Sequence, residues 1–212
     1  MELQMLATGE YYRTAEQDPI RFYRTPLLGR LYRNRVAGCV SLLPNGRRVL
    51  EIGYGSGVSF LNLAEKFDEI HGIDLHHHSE GVRRSFAESG LTPHLRQGSI
   101  LQLPYEDDSF DAALAISLHE HLQPDQQEQA FAEVRRVLRR GGCYVIGVPG
   151  LNPMMTLAFY LLACPIHKHH LTSERRVLEE LDKAFGVEVT RYSPAWWPKS
   201  WTTYVRARGW KR

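Results

Sequence analysis

The stretch of this sequence best suited to chemistry is Glu51-Ile52-Gly53-Tyr54-Gly55-Ser56-Gly57. Glycines leaving a strand let the backbone turn sharply and approach a ligand, and the next helix aims its N-terminus at the same place. The spacing is G-x-G-x-G, and Val58 stands where the dinucleotide fingerprint G-x-G-x-x-G needs its third glycine. Glu51 adds a carboxylate beside the loop. Next to a pyrophosphate that charge would repel, whereas beside a cationic ligand it attracts. S-adenosyl-L-methionine (SAM) carries an ammonium and a sulfonium, so it suits loop and acid better than a nicotinamide dinucleotide does.

Asp74 ends the run Ile70-His71-Gly72-Ile73-Asp74. It lies about 20 residues past the loop, at the tip of a second strand, where a carboxylate can accept hydrogen bonds from both ribose hydroxyls of an adenosine. His76-His77-His78 follows directly. Three consecutive residues cannot all face one ion from a regular element, and no carboxylate cluster accompanies them. The run is read as a polar loop near the adenosine pocket, and no metal is expected. His119-Glu120-His121 comes after the fourth strand, where open α/β sheets bind ligands. A histidine there, with an unperturbed pKa of about 6.5, can deprotonate a hydroxyl or amine. His119 and His121 are both candidates for that role; packing at a helix start is the alternative for each.

The elements that must position these residues alternate. Arg13–Leu43 reads as helix in at least two pieces, broken around Pro19 and Pro26. Strands follow at Arg48–Gly53, Ile70–Leu75, His94–Ile100, Phe110–Ser117 and Cys143–Val148, separated by helices near Val58–Phe67, Ser79–Ser89 and Gln126–Arg140. Gly141-Gly142 is expected to cap the last of these helices in a left-handed turn. A helix near Ser173–Phe185 precedes strands near Val187–Tyr192 and Trp201–Arg208, close enough to pair antiparallel through the Pro194–Pro198 loop. The pattern predicts a three-layer, Rossmann-like α/β domain: a mainly parallel seven-stranded sheet with one antiparallel strand near its edge. Residues 1–212 make one domain, with a helical cap over 1–44, a core over 48–149, a variable insert over 150–172 and a C-terminal helix and strand pair over 173–212.

In VLEIGYGSG, the GID step ending at Asp74, LPYEDDSFDAALAIS, the Glu120–Leu122 tripeptide EHL and the VLRRGG turn, the chain resembles the class I SAM-dependent methyltransferases, particularly those acting on small molecules. The resemblance covers about Arg48 to Pro149. It implies that Glu51, Gly53, Tyr54, Gly55 and Gly57 hold the methionine end of SAM and that Asp74 binds the ribose, with Leu75 flanking the adenine. Gly98-Ser99-Ile100 would reach the adenine edge, and Ser117 and Leu118 would lie, with His119, beside the reactive methyl. Relatives often carry an aspartate at the position of Ser99, where it accepts from the adenine amino group.

Parts outside this core are expected to wall the substrate. They are the N-terminal segment, with Tyr11, Tyr12 and Tyr23, and the insert Leu151–His170, in which His169 is a substrate-lining candidate. The insert is rich in Met, Phe, Tyr and Leu, which suits a lipid-like acceptor, a membrane-facing cover or simple core packing. Arg13, Arg21, Arg24, Arg30, Arg33 and Arg35 either meet acidic groups, lipid head groups included, or form a solvated helix face. The longest apolar stretch, Met154–Ile166, is shorter than the roughly 20 residues a spanning helix needs.

A formal net charge of +2 over 212 residues lacks the basic excess of a dedicated nucleic-acid binder, and none is expected as a partner. Cys39, Cys143 and Cys164 form no CxxC pair, so a reducing cytoplasm is the expected setting. The start of the chain shows no signal-peptide pattern. Peripheral membrane contact and either a monomer or a homodimer fit this reading.

A serine oxygen at position 99 accepts without charge assistance. Ser99→Asp is therefore expected to tighten SAM binding in titration calorimetry, and an unchanged or weaker affinity would refute the adenine assignment.

Overall fold

Strands that are apolar on both faces need cover on both sides, which is the condition of a parallel sheet between helices. The computed structural model, which describes residues 1–6, 11–14, 19–150, 171–193 and 202–212, meets it with one seven-stranded sheet. Its strands are β1 (Gly46–Ile52), β2 (Phe67–Asp74), β3 (His94–Gln97), β4 (Phe110–Ile116), β5 (Leu138–Pro149), β6 (Val187–Ser193) and β7 (Tyr204–Trp210). They are ordered β3-β2-β1-β4-β5-β7-β6. Pairs from β3 across to β5 are parallel, and β7 runs antiparallel between β5 and the edge strand β6. The expected architecture is the observed one, the antiparallel closing pair included.

The helices are α1 (Pro26–Val40), α2 (Phe60–Ala64), α3 (Ser79–Ser85), α4 (Gln126–Val137) and α5 (Glu174–Phe185). Alternation along β1 divides them: Val49 joins one core with Val36, Val40, Phe60 and Phe86 from α1–α3, and Leu50 joins another with Phe131, Val134 and Leu181 from α4 and α5. Proline at the first position and Thr25, whose side chain accepts from the Gly29 N–H, start α1 where the sequence breaks at Pro26. Among the described residues no helix is long and apolar enough to cross a membrane.

One boundary differs. The helix expected to reach Arg140 ends at Val137, and Gly141-Gly142 lies inside β5 rather than in a helix cap. Tertiary bonds do the capping: the Asp108 and Ser109 N–H groups donate to the Arg136 and Val137 carbonyls at 3.0 and 2.8 Å. Released early, Leu138 pairs with Phe110, and the left-handed Gly141 (φ 73°) lets β5 stay in register with the chain end, its N–H donating to the Lys211 carbonyl.

Between β1 and α2 runs the glycine loop, whose residues 55 and 57 both have positive φ, at 51° and 77°. Their surroundings differ. A Cβ on Gly57 would meet the fully buried Phe60 ring at 2.6 Å, whereas one on Gly55 would meet nothing within 4 Å. Gly57→Ala is therefore expected to cost about 2–4 kcal/mol, left-handed strain plus overpacking, and Gly55→Ala about 1–2 kcal/mol, strain alone. Denaturant unfolding of the two variants checks this; equal losses would show that the ring contact does not matter.

Candidate functional site

The sheet order places β1 between β2 and β4, so the chain turns one way after β1 and the other way after β3. Open α/β sheets bind ligands at such a switch point, beyond the carboxyl ends of the strands. The glycine loop, Asp74 and Ser117 all sit there, at the ends of β1, β2 and β4. A cavity of 220 Å³ opens beside the loop, lined among others by Glu51, Gly53, Tyr54, Gly55 and Ser117 and by Tyr23, Tyr32 and Arg35.

Glu51 is 4% exposed, and the Ser59 hydroxyl donates to its Oε2. Burial lifts its carboxyl to about 8, a rise that the Ser59 bond opposes and the nearby Asp74 reinforces. Asp74 accepts from the Gly55 N–H at 2.9 Å and from the His76 N–H at 3.3 Å. These bonds fix the carboxylate over the loop and tie β2's tip to it. The His76 ring lies 3.1 Å from the Gly55 carbonyl and edge-on to Tyr54, so the histidine run begins beside the glycine loop. Among the described residues no group of three or more His, Cys, Asp or Glu side chains could hold a metal ion.

Leu75 next to Asp74 is 72% exposed, an apolar side chain that a flat ring could cover. The Gly98 N–H donates to the Asp74 carbonyl at 2.8 Å, bringing β3's end alongside. Ser99 Oγ accepts from the Leu101 N–H at 3.2 Å, and Ile100 is buried in the core under α4. Leu118 packs where a Cβ on Gly53 would come within 2.7 Å of it. Ser117 is held at φ 53°, an unusual conformation for a non-glycine residue, with its N–H on the Gly147 carbonyl at 2.7 Å. Backbone strain of this kind gathers at functional sites.

The geometry redraws the candidate residues around this cavity. His119 is not available as a base. It is 1% exposed, its ring nitrogens lie 2.9 Å from Gln127 Oε1 and 2.7 Å from the Tyr144 hydroxyl, and its face stacks on Phe131. Burial pushes its pKa down to about 4. The 3₁₀ turn after β4 swings this side chain to the α4 side of the sheet, away from the cavity, and leaves His121 half-exposed beside Glu120. Tyr11 is spent on packing against Phe86, its hydroxyl accepting from the Leu6 N–H, and Tyr12 lies over Gly81 and His78 on α3. Neither reaches the cavity wall, which Tyr23 and Tyr32 supply instead. His169 and the insert at 151–170 lie outside the described residues, as does Cys164.

Arg35 is the site residue the sequence reading placed least well, as one of six arginines on a helical face. Its Nη2 donates to Ser117 Oγ at 2.6 Å, and its guanidinium lies 4.3 Å from the Tyr204 ring centroid and 5.2 Å from that of Tyr32. Helical spacing carried the signal: Tyr32, Arg35, Val36 and Cys39 fall at i, i+3, i+4 and i+7, which puts Arg35 on the buried stripe.

Residues 49–142 match the family model described as a methyltransferase domain. Over these residues, somewhat under half of its length, the chain is similar to methyltransferase domains. It is 37% identical over 105 residues to a fatty-acid O-methyltransferase of Mycolicibacterium smegmatis, covering 47% of this chain and 36% of the relative. It is 34% identical over 104 residues to a sterol 24-C-methyltransferase of Gibberella zeae, covering 47% and 27%. The chain thus spans roughly a third of the length of these relatives. Its fold is similar to that of a geranyl diphosphate C-methyltransferase from Streptomyces coelicolor A3(2), with a TM-score of 0.70 at 15% identity over 87% of this chain and 81% of the other.

The buried Glu51 generates a prediction. Its carboxyl titrates higher folded than unfolded, so the native state binds the extra proton and stability falls as pH rises from about 4.5 to about 8. Glu51→Gln keeps the neutral shape. It is expected to melt a few degrees above the parent at pH 8, with the gap closing by pH 4.5, and to bind SAM more weakly. Calorimetric melts at the two pH values check it; a variant less stable at pH 8 would contradict the burial argument.

Proposed function

We propose that this chain is a class I SAM-dependent methyltransferase that moves the methyl group of SAM to a small-molecule or lipid-like acceptor by in-line displacement. The observation that carries the reading is the convergence of three features on one sheet end: a glycine loop with open space above Gly55, a buried carboxyl at Glu51, and Asp74 fixed at the neighbouring strand tip. Those residues fit the two polar ends of SAM. Asp74 would hold the ribose hydroxyls, Leu75 one face of the adenine, and Glu51 the methionine ammonium. Bound there, SAM supplies an electrophilic methyl on a sulfonium.

The chain's own work in such a reaction is orientation and exclusion of water, because displacement in line depends on placing the nucleophile. Tyr23 and Tyr32 from the N-terminal cap close the cavity over the loop. His121 lies half-exposed after β4, and a role for it in accepting the acceptor's proton is part of this reading. The relatives' names include an oxygen, a carbon and, for ajmaline in Rauvolfia serpentina, a nitrogen methyltransferase at comparable identity. That spread supports a common donor site with acceptor recognition built by other segments. A subunit that keeps this fold to activate a partner without catalysis is the competing reading; the fixed Asp74 and buried Glu51 argue against it, since a decayed donor site has no need of either.

Titration of S-adenosyl-L-homocysteine (SAH) into the parent and Asp74→Ala tests the donor site. Binding to the parent, weakened at least about tenfold in the variant, is expected from the loss of two charge-assisted bonds, with no heat from NADH. NADH binding without SAH binding would overturn the proposal.

A further inference from the structure

Charge is unevenly spread along this chain. Between Pro19 and Gly46 stand Arg21, Arg24, Arg30, Arg33 and Arg35 without a single aspartate or glutamate, although the whole chain carries a net charge of only +2. Two of these arginines are turned inward: Arg33 donates to the Tyr23 carbonyl, and Arg35 donates to Ser117 Oγ. Arg21, Arg24 and Arg30 are exposed. Arg21 lies 4.6 Å from the Phe22 ring centroid, and Arg24 donates to the Leu6 carbonyl at 3.3 Å. Among the described residues none of the three meets a carboxylate within 4.0 Å.

A solvated helix face ordinarily carries both signs, because opposite charges one turn apart stabilise it and keep it soluble. The other surface helices follow that rule. Glu80 of α3 meets Arg83 and Arg84, and in α5 Arg175 meets Glu179 and Arg176 meets Glu180. No acidic residue is present in α1 to make such a pair. Its outward side also carries an apolar residue. Arg30, Leu31 and Asn34 lie exposed within about one turn, and Leu31 is 44% exposed, whereas Val36 and Val40 face the core.

We propose that the outer face of residues 19–34 docks on an anionic lipid surface. Arg21, Arg24 and Arg30 meet the head groups, and Leu31 enters the acyl boundary. Each cation brought to such a surface strengthens binding about fivefold. A nucleic acid offers the same charge but no apolar layer for Leu31. Tyr23, Tyr32 and Arg35 of the same segment line the cavity, so the element that rests on lipid also forms part of the cavity wall.

Sedimentation with lipid vesicles tests this, using phosphatidylcholine alone and an equimolar mixture with phosphatidylserine. The mixed vesicles are expected to bind at least about tenfold more tightly, with the difference shrinking as salt is raised. Arg21→Gln/Arg30→Gln is expected to weaken binding to them roughly ten- to thirtyfold, and Leu31→Ser about three- to tenfold. A thymidine oligonucleotide serves as the polyanion without an acyl layer. Equal binding to the two vesicle types, a variant of either kind that binds as the parent does, or tighter binding to the oligonucleotide than to the mixed vesicles overturns the proposal. Thermal melts and SAH titration, expected to be unchanged in both variants, separate loss of the surface from loss of the fold or of the cavity.

Discussion

A buried carboxyl and a buried guanidinium that line one cavity are what the rest of the site is arranged around. Glu51 closes β1 inside the core, and Arg35 comes down from α1 onto the end of β4. Either charge alone in a low-dielectric setting is costly. The fold tolerates them by keeping Glu51 largely protonated, with its carboxyl lifted to about 8, and by sandwiching Arg35 between aromatic rings.

That arrangement needs a rigid frame, and the sheet provides it. β1 sits between β2 and β4 with both cores pressed against it, so the loop leaving Ile52 has a fixed origin. The Asp74 carboxylate reaches 19 residues back to the Gly55 N–H and ties the second strand's tip to the same loop. On the other side, Ser117 takes a strained backbone angle so that its N–H can meet β5 while its hydroxyl meets Arg35. Strain at Ser117 and an elevated carboxyl at Glu51 lie at one end of the sheet, beside Arg35.

The fold was legible in the sequence because its signals are local. Near-continuous apolar runs such as Phe110–Ile116 mark buried parallel strands, and G-x-G-x-G with an acid before it marks the turn. What failed needed tertiary information. The end of α4 looks like a glycine cap at Gly141, but Asp108 and Ser109, distant in sequence, satisfy its carbonyls first. His119 and His121 are two residues apart in a polar-looking tripeptide, and only the 3₁₀ turn decides that one enters the core while the other stays wet. Tyr11 and Tyr12 likewise pack against α3 because the chain before α1 runs along that helix, which no periodicity announces. Arg35 was masked by Arg30 and Arg33, whose charges make the whole segment read as a solvated face, although its own spacing belongs to the buried stripe.

Glu120 shows how far the same logic extends toward the acceptor side. It is 3% exposed, its Oε2 has no hydrogen-bond partner among the described residues, and burial raises its carboxyl to about 8 despite Arg35 pulling the other way. Its carbonyl meanwhile accepts the Leu171 and Thr172 N–H groups, at 2.7 and 3.2 Å, anchoring the point where the chain returns from the insert. The turn after β4 therefore joins three things: the cavity through Ser117, the core through His119, and the start of the C-terminal helix through Glu120. A substitution in this turn therefore acts on the cavity, the core and the C-terminal helix together.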